Sequence, residues 1–374
     1  MTHIFYFTFV LLLFVSGAKA EETPFIILKA AAPPNSIDPN VLAFSPDGKK
    51  VLVGAADKSV LICDAISGKE LLKLEGEALY AAFSPDSKKV ITADFGTSTR
   101  IWDVDSGKKL HNLEGGCGHR WSVVMSPDGK KVIASTRTVT RIWDTESGKE
   151  LQKIEGLSFP ICAFSPDGKK IVTANRDDAA QIWDADTGQE LRKLEEPERV
   201  IDFVAFSPDG TTVLTVSREK PLPQEVPENY YIARIWDADT GRERHKLEGV
   251  KFAVFTPDGK QIIARGMNEK VRIWDTVSGN VLHHFGRLVR TIAVSPAGKK
   301  IVTGHVDGPV QVWDVDSGME LLAMKGQKQT VISTAFSPDG KKVATACFDD
   351  VVRIWDLDTF PPPVPLERPA MMDF

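Results

Sequence analysis

The sequence predicts an all-β protein, an eight-bladed β-propeller of four-stranded antiparallel blades whose ring is closed by an N-terminal strand. Three observations predict it. One turn phrase recurs eight times, a second phrase follows each copy, and only short apolar runs lie between them.

The first phrase is Ser45-Pro46-Asp47-Gly48. It returns with Pro at 85, 127, 166, 208, 257, 296 and 338, spaced 39, 42, 39, 42, 49, 39 and 42 residues apart. Pro fixes φ at the second position of a tight turn, Ser suits the first, and Gly supplies a positive φ at the end. The phrase therefore joins two strands as a hairpin. Ser87 stands where the other copies have Gly, so mild backbone strain is expected there. The second phrase is Trp-Asp, at Trp102, Trp143, Trp183, Trp236, Trp274, Trp313 and Trp355, with Cys63-Asp64 in the first copy. It opens another turn, as in Asp184-Ala185-Asp186-Thr187-Gly188.

Each repeat then holds four strands. A short run such as Cys162-Ala163-Phe164 precedes the first turn and Lys170-Ile171-Val172-Thr173-Ala174 follows it. A third leads to Trp-Asp, and a more polar fourth resembles Lys69-Glu70-Leu71-Leu72-Lys73-Leu74. Runs that are apolar throughout belong to sheets covered on both faces. Four strands per unit of about 40 residues, stacked around an axis, make a propeller. Seven fourth strands follow their Trp-Asp or Cys-Asp, but the eighth Trp-Asp runs into Thr359-Phe360-Pro361-Pro362-Pro363, which is no regular strand. The missing strand is expected in Pro24–Lys29, paired into the last blade. Seven blades with one poorly formed unit is the alternative.

These phrases are similar to those of bacterial WD-repeat (WD40-type) proteins, over roughly residues 24–359. S-P-D-G also occurs in six-bladed periplasmic propellers of the Tol system; the Trp-Asp marks favour the WD type. The family's repeat has a turn Asp six residues before its Trp that braces the strands. The resemblance implies that role for Asp57, Asp177, Asp307 and Asp349, with Asn268 in the same position. Gly96, Arg137 and Tyr230 do not match it, and Gly118-His119 is the only candidate for the family's Gly-His mark.

The expected organisation is a signal peptide at 1–20, the propeller at 21–359 and a Pro-rich tail at 360–374. Residues 4–15 are almost wholly apolar and Ala18-Lys19-Ala20 fits a small-residue cleavage site. The run is short for a membrane span of about 20 residues, although no Lys or Arg precedes it, so an uncleaved anchor stays open. A secreted or periplasmic protein is expected. Lys19 is the only charged side chain before residue 21, so cleavage takes the net charge from −5 to −6. An acidic chain argues against a general nucleic-acid binder. Cys63, Cys162 and Cys347 fall in expected strands, where a thiol acts as a small apolar side chain. Cys117 sits in a Gly-rich loop.

No catalytic constellation emerges. The seven histidines have no metal spacing, and no G-x-S-x-G occurs. The D-x-D-S-G segments only partly match a calcium loop, which favours structural turns. No metal and no cofactor are expected. One irregularity stands out. Trp183 and Trp236 are 53 residues apart, against 38–42 elsewhere, and the excess lies in 217–231, between the second and third strands of blade five. Long loops on rigid scaffolds often carry function, and a solvated insertion is the plain alternative. The expected partner-binding residues are Tyr230, Tyr231 and Arg218 there, with Phe95, Trp121, Arg137, Arg176, Met267, His305 and Phe348 at loop tips expected on the same face. The expectation is a non-enzymatic, monomeric scaffold for a protein or peptide partner. An exported enzyme acting on glycans or small molecules, or a polysaccharide-binding module, is the alternative.

Overall fold

In a computed structural model, eight sheets form a ring, each with four antiparallel strands in the order inner to outer. The structure describes residues 25–29, 37–55, 58–76, 78, 80–94, 98–114, 123–135, 139–155, 161–174, 179–220, 227, 230–285, 289–306, 308–324, 330–347 and 351–359. Blade one comprises Ile37–Phe44, Lys50–Ala55, Val60–Asp64 and Glu70–Leu74. Blade five comprises Arg199–Phe206, Thr212–Glu219, Tyr231–Asp237 and Glu243–Glu248. The blades number eight, not seven. Phe25–Lys29 pairs with Val351–Asp356 and completes the last blade, with Phe25 opposite Trp355 and Lys29 opposite Val351.

Both turn phrases fold as their chemistry dictates. Ser45 Oγ donates to Asp47 Oδ1 (2.6 Å) and accepts from Lys50 N (2.9 Å), while Gly48 takes φ 72°. Ser87 adopts φ 62°. Its Oγ accepts from Asp47 N at 3.0 Å, a bond from the turn of blade one that offsets the strain. In the second turn Asp184 Oδ1 accepts from Asp186 N, Thr187 N and Thr187 Oγ1. These bonds, Thr187 first, hold its carboxyl below the usual range.

The core lies between blades. Leu52, Ile62 and Leu74 of blade one pack with Phe83, Val90 and Trp102 of blade two. Each Trp sits against the preceding blade in this way, and Cys63 takes the Trp position against blade eight. A buried Trp removes 150–250 Å² from water, about 4–6 kcal/mol each at ~25 cal/mol/Å². Cys63, Cys162 and Cys347 are buried free thiols. Burial, aided by Glu70, pushes the Cys63 thiol up to about 12. Cys117 lies outside the described residues.

Candidate interaction site at blade five

The first strands of neighbouring blades meet around the axis, and blade five departs from its neighbours at one end of that ring. Its first two strands run eight residues each, and the second reaches Glu219 before the chain departs, returning at Tyr231. Both ends of this excursion are fastened by a buried charge cluster. Glu196, 1% exposed, lies just before the first strand. Its carboxylate accepts from Thr215 Oγ1, Ser217 Oγ and an Arg234 Nη. Trp236 Nε1 donates to Thr215 Oγ1 at 3.0 Å, so the chain of bonds starts in the core. Arg199 donates from Nε to Ser217 Oγ (2.9 Å) and from one Nη to the Ser217 and Tyr230 carbonyls (3.1 and 2.9 Å). Burial, then the Arg234 charge, lowers the Arg199 pKa, while Glu196 and Glu219 oppose this.

Tyr230 was expected at an exposed tip. It is 1% exposed. Its hydroxyl donates to the Glu219 carbonyl at 3.2 Å, and its ring meets Tyr231 edge-on at 5.1 Å. The reason is non-local: Arg199 captures the Tyr230 carbonyl and draws the residue inward. Tyr231 remains half-buried. Burial, then the Asp202 charge, pushes its phenol up to about 12, so it stays neutral at ordinary pH. Arg218 Nε donates to Asp202 Oδ2 at 2.8 Å. Burial lowers the Arg218 pKa, but Asp202 and Tyr230 outweigh it and the net shift is upward. Asp202 sits at a register break between Ile201 and Phe203, and Phe203 meets Phe252 of blade six at 6.0 Å. Asp202 is the one acid on the inner strands whose side chain the structure describes.

His305 is a second correction. It is 7% exposed and lies by Thr303 Oγ1 at 3.0 Å, which also accepts from Trp313 Nε1 at 2.9 Å. It belongs to the interior, not to a loop tip. Met267 is half-buried in the turn after Gly266. Phe95, Trp121, Arg137, Arg176 and Phe348, with Asp57, Asp177, Asp307 and Asp349, lie outside the described residues. Asn268 does brace its turn, accepting from Lys270 N at 3.2 Å. In blade two, where Gly96 breaks the pattern, Asp94 serves instead: it accepts from Ser98 N at 3.2 Å and pairs with Arg100 at 3.1 Å.

The sequence reading missed two sets of residues. One is the Thr that accepts from five of the seven core Trp residues: Thr92, Thr173, Thr215, Thr303 and Thr345. The recurring [VI]-x-T in the second strand was their visible signal. The other is a latch between blades. His111, His245 and His283 each donate from Nε2 to the turn carbonyl of the next blade, at Glu146, Val277 and Asp316 (2.7–2.8 Å).

A family model described as WD domain, G-beta repeat matches residues 33–64, 148–184, 278–314 and 318–356. These four segments match WD40 repeats. Three of the four matches begin in or just before an outer strand and end at the Trp-Asp of the next blade, so the WD40 sequence unit is staggered against the blade. No match covers blade five. Among solved structures, the computationally designed Ika8 protein is similar at 22% identity and a TM-score of 0.72, over 88% of this chain and 99% of that one. At that identity the likeness concerns the fold. A search of the curated proteins found no match. No helix among the described residues is long and apolar enough to cross a membrane, and no cluster of His, Cys, Asp or Glu among them suits a metal.

Proposed function

We propose that this chain is a non-enzymatic scaffold, exported from the cytoplasm, that holds a protein or peptide partner at the blade-five end of the ring. WD40 propellers commonly serve as interaction scaffolds. One observation carries the site: the largest departure from the repeat is clamped at its base by a satisfied buried ion cluster, which presents half-buried Tyr231 and Arg218 beside Asp202. A tolerated insertion needs no such clamp. Buried charge costs free energy unless every member is bonded, and rigid aromatic and Arg side chains suit interface anchors. Export rests on residues 4–20, and N-terminal sequencing of the mature protein tests it.

Tyr231→Ala combined with Arg218→Glu is the proper probe of the site. Tyr230→Ala would instead hollow the core. Pull-down from the extracytoplasmic fraction, read by mass spectrometry, should recover a partner with the wild type and lose it with the double variant at unchanged thermal stability. Equal recovery by both would remove the assignment.

A further inference from the structure

The interfaces between blades are not equally made. Between blades five and six the shortfall is concentrated at the S-P-D-G end of the ring. A Lys–acid pair crosses each of the four preceding interfaces, as Lys170–Asp239 does at 2.7 Å; here Thr212 and Val277 stand in its two places. Thr212 is 3% exposed, and its Oγ1 is buried without a hydrogen-bond partner. Thr276 Oγ1, one residue before Val277, is in the same state. Elsewhere the residue after Trp-Asp packs on the preceding blade as an apolar side chain, as Val104, Ala185, Ala238 and Val315 do. Thr145 is polar too, but its hydroxyl donates to the Gly129 carbonyl at 2.7 Å. Trp274, which packs among Leu214, Val216 and Ile235 of blade five, adds a third buried orphan at Nε1. Each such group gives up its bonds to water and gains none in the fold, so parting the two blades there restores them.

The next interfaces are closed by other means. Blade six is bonded to blade seven: one Arg265 Nη donates to the Val289 and Arg290 carbonyls at 2.9 and 3.1 Å, and Val289 N donates to the Glu269 carbonyl at 3.1 Å. Blades seven and eight are drawn together at Gly304, where a Cβ would lie 2.6 Å from both Thr291 and Val331 side chains. Thr291 Oγ1 and Thr334 Oγ1 are 3.2 Å apart beside it. Blades eight and one share a core that includes Ile332, Ile354 and Phe44. By contrast, the inner strand of blade six, Phe252–Phe255, approaches that of blade five less closely than Val289–Val294 approaches Val331–Phe336. His245 still reaches the Val277 carbonyl at the outer rim (2.7 Å). The firmer ties lie at the opposite end, in the Phe203–Phe252 ring contact and in the bonds from Gly249 N and Val250 N to the Tyr231 carbonyl (2.9 and 3.2 Å).

We propose that the ring opens at this seam. Blade six, moving with blade seven, parts from blade five at the S-P-D-G end and pivots on the link at Gly249–Lys251, exposing the apolar core between them. Sub-global opening of this kind follows the least satisfied contacts of a fold. It needs no partner, so it stands independently of the scaffold reading above.

The native thiols supply the comparison. Cys63, Cys162 and Cys347 are buried in the interfaces eight/one, three/four and seven/eight. Ala233, fully buried between blades five and six, is the place for a fourth. The full chain carrying Ala233→Cys is treated with iodoacetamide, and labelling at each cysteine is followed by peptide mass spectrometry. Each rate is divided by that of the same thiol in denaturant, which removes differences in intrinsic reactivity. The thiol at 233 should react about tenfold faster than the other three. Adding Thr212→Lys with Val277→Asp, the pair found in the four braced interfaces, should slow it about fivefold and leave Cys162 unchanged. Thr276→Val should act in the same direction. Ala253→Cys, on the blade-six side of the same core, replaces the first probe if thermal unfolding shows that Ala233→Cys disturbs the fold. Equal labelling of all four thiols would overturn the seam. So would repair variants that leave the rate at 233 unchanged, or that slow all four thiols alike, since the latter is the mark of global unfolding.

Discussion

At the scale of single residues, the molecule shows what a missing partner costs. Five core Trp residues donate to a Thr, but Trp274, whose register partner is Ile262, has Ala264 where the others have that Thr, and its Nε1 is buried without a partner. Arg272 lies over its ring at 5.7 Å, which compensates the face of the indole and not its N–H. A buried unsatisfied donor costs about 1–3 kcal/mol. Ala264→Thr is therefore expected to stabilise the protein by about 1 kcal/mol, seen as a higher denaturant midpoint. A lower midpoint would mean that the extra methyl overpacks the site. Tyr231 supplies a pH prediction. Its ordinary value of 10.0 rises to about 12 in the fold. Its contribution to stability is thus complete below pH 10 and is lost as pH rises towards 12. Tyr231→Phe should flatten the alkaline fall of the unfolding midpoint across that window, and an equal fall in both proteins would reject the assignment.

At the scale of elements, the S-P-D-G turns form a ring of their own. The glycine of each turn packs against the proline of the turn before it: Gly129 against Pro85, Gly168 against Pro127, Gly298 against Pro257, and Gly48 against Pro338 where the ring closes. At Gly298 both constraints coincide, with φ 71° and a Cβ that would lie 3.2 Å from Pro257 Cδ. Gly298→Ala should cost about 1–2 kcal/mol from backbone strain alone, measured as a fall in the denaturant midpoint; a neutral result would show that the turn can shift. The turns were legible in the sequence because each is a local device: six consecutive residues contain most of its hydrogen-bond pattern. The candidate site was legible only in outline. The long gap located it, but the burial of Tyr230 depends on Arg199 and Glu196, more than 30 residues earlier in a different connection. Nothing local to Tyr230 announces that capture. The histidine latches were hidden for the same reason, since each reaches a carbonyl 32–35 residues away.

At the scale of the whole molecule, the ring is braced unevenly. Lys50, Lys89, Lys131 and Lys170 each pair with an acid in the next blade's turn, Asp105, Glu146, Asp186 and Asp239. Between blades five and six the corresponding positions are Thr212 and Val277. Thr212 Oγ1 is buried without a partner, and Val277 is 84% exposed. Exposed ion pairs contribute at most ~1 kcal/mol each, so the ring depends chiefly on apolar packing between blades and on closure. Closure rests on five residues, Phe25–Lys29, that run antiparallel to Val351–Asp356. Without them that strand becomes an open edge, and open edges recruit other chains. Deletion of residues 21–29 should therefore lower the thermal midpoint and produce dimers or larger species in size-exclusion chromatography. A synthetic peptide spanning residues 24–30, added in trans, should restore the monomer, because it supplies the same backbone partners. A deletion variant that stays monomeric with an unchanged midpoint would show that the interfaces between blades suffice and that the closing strand is dispensable.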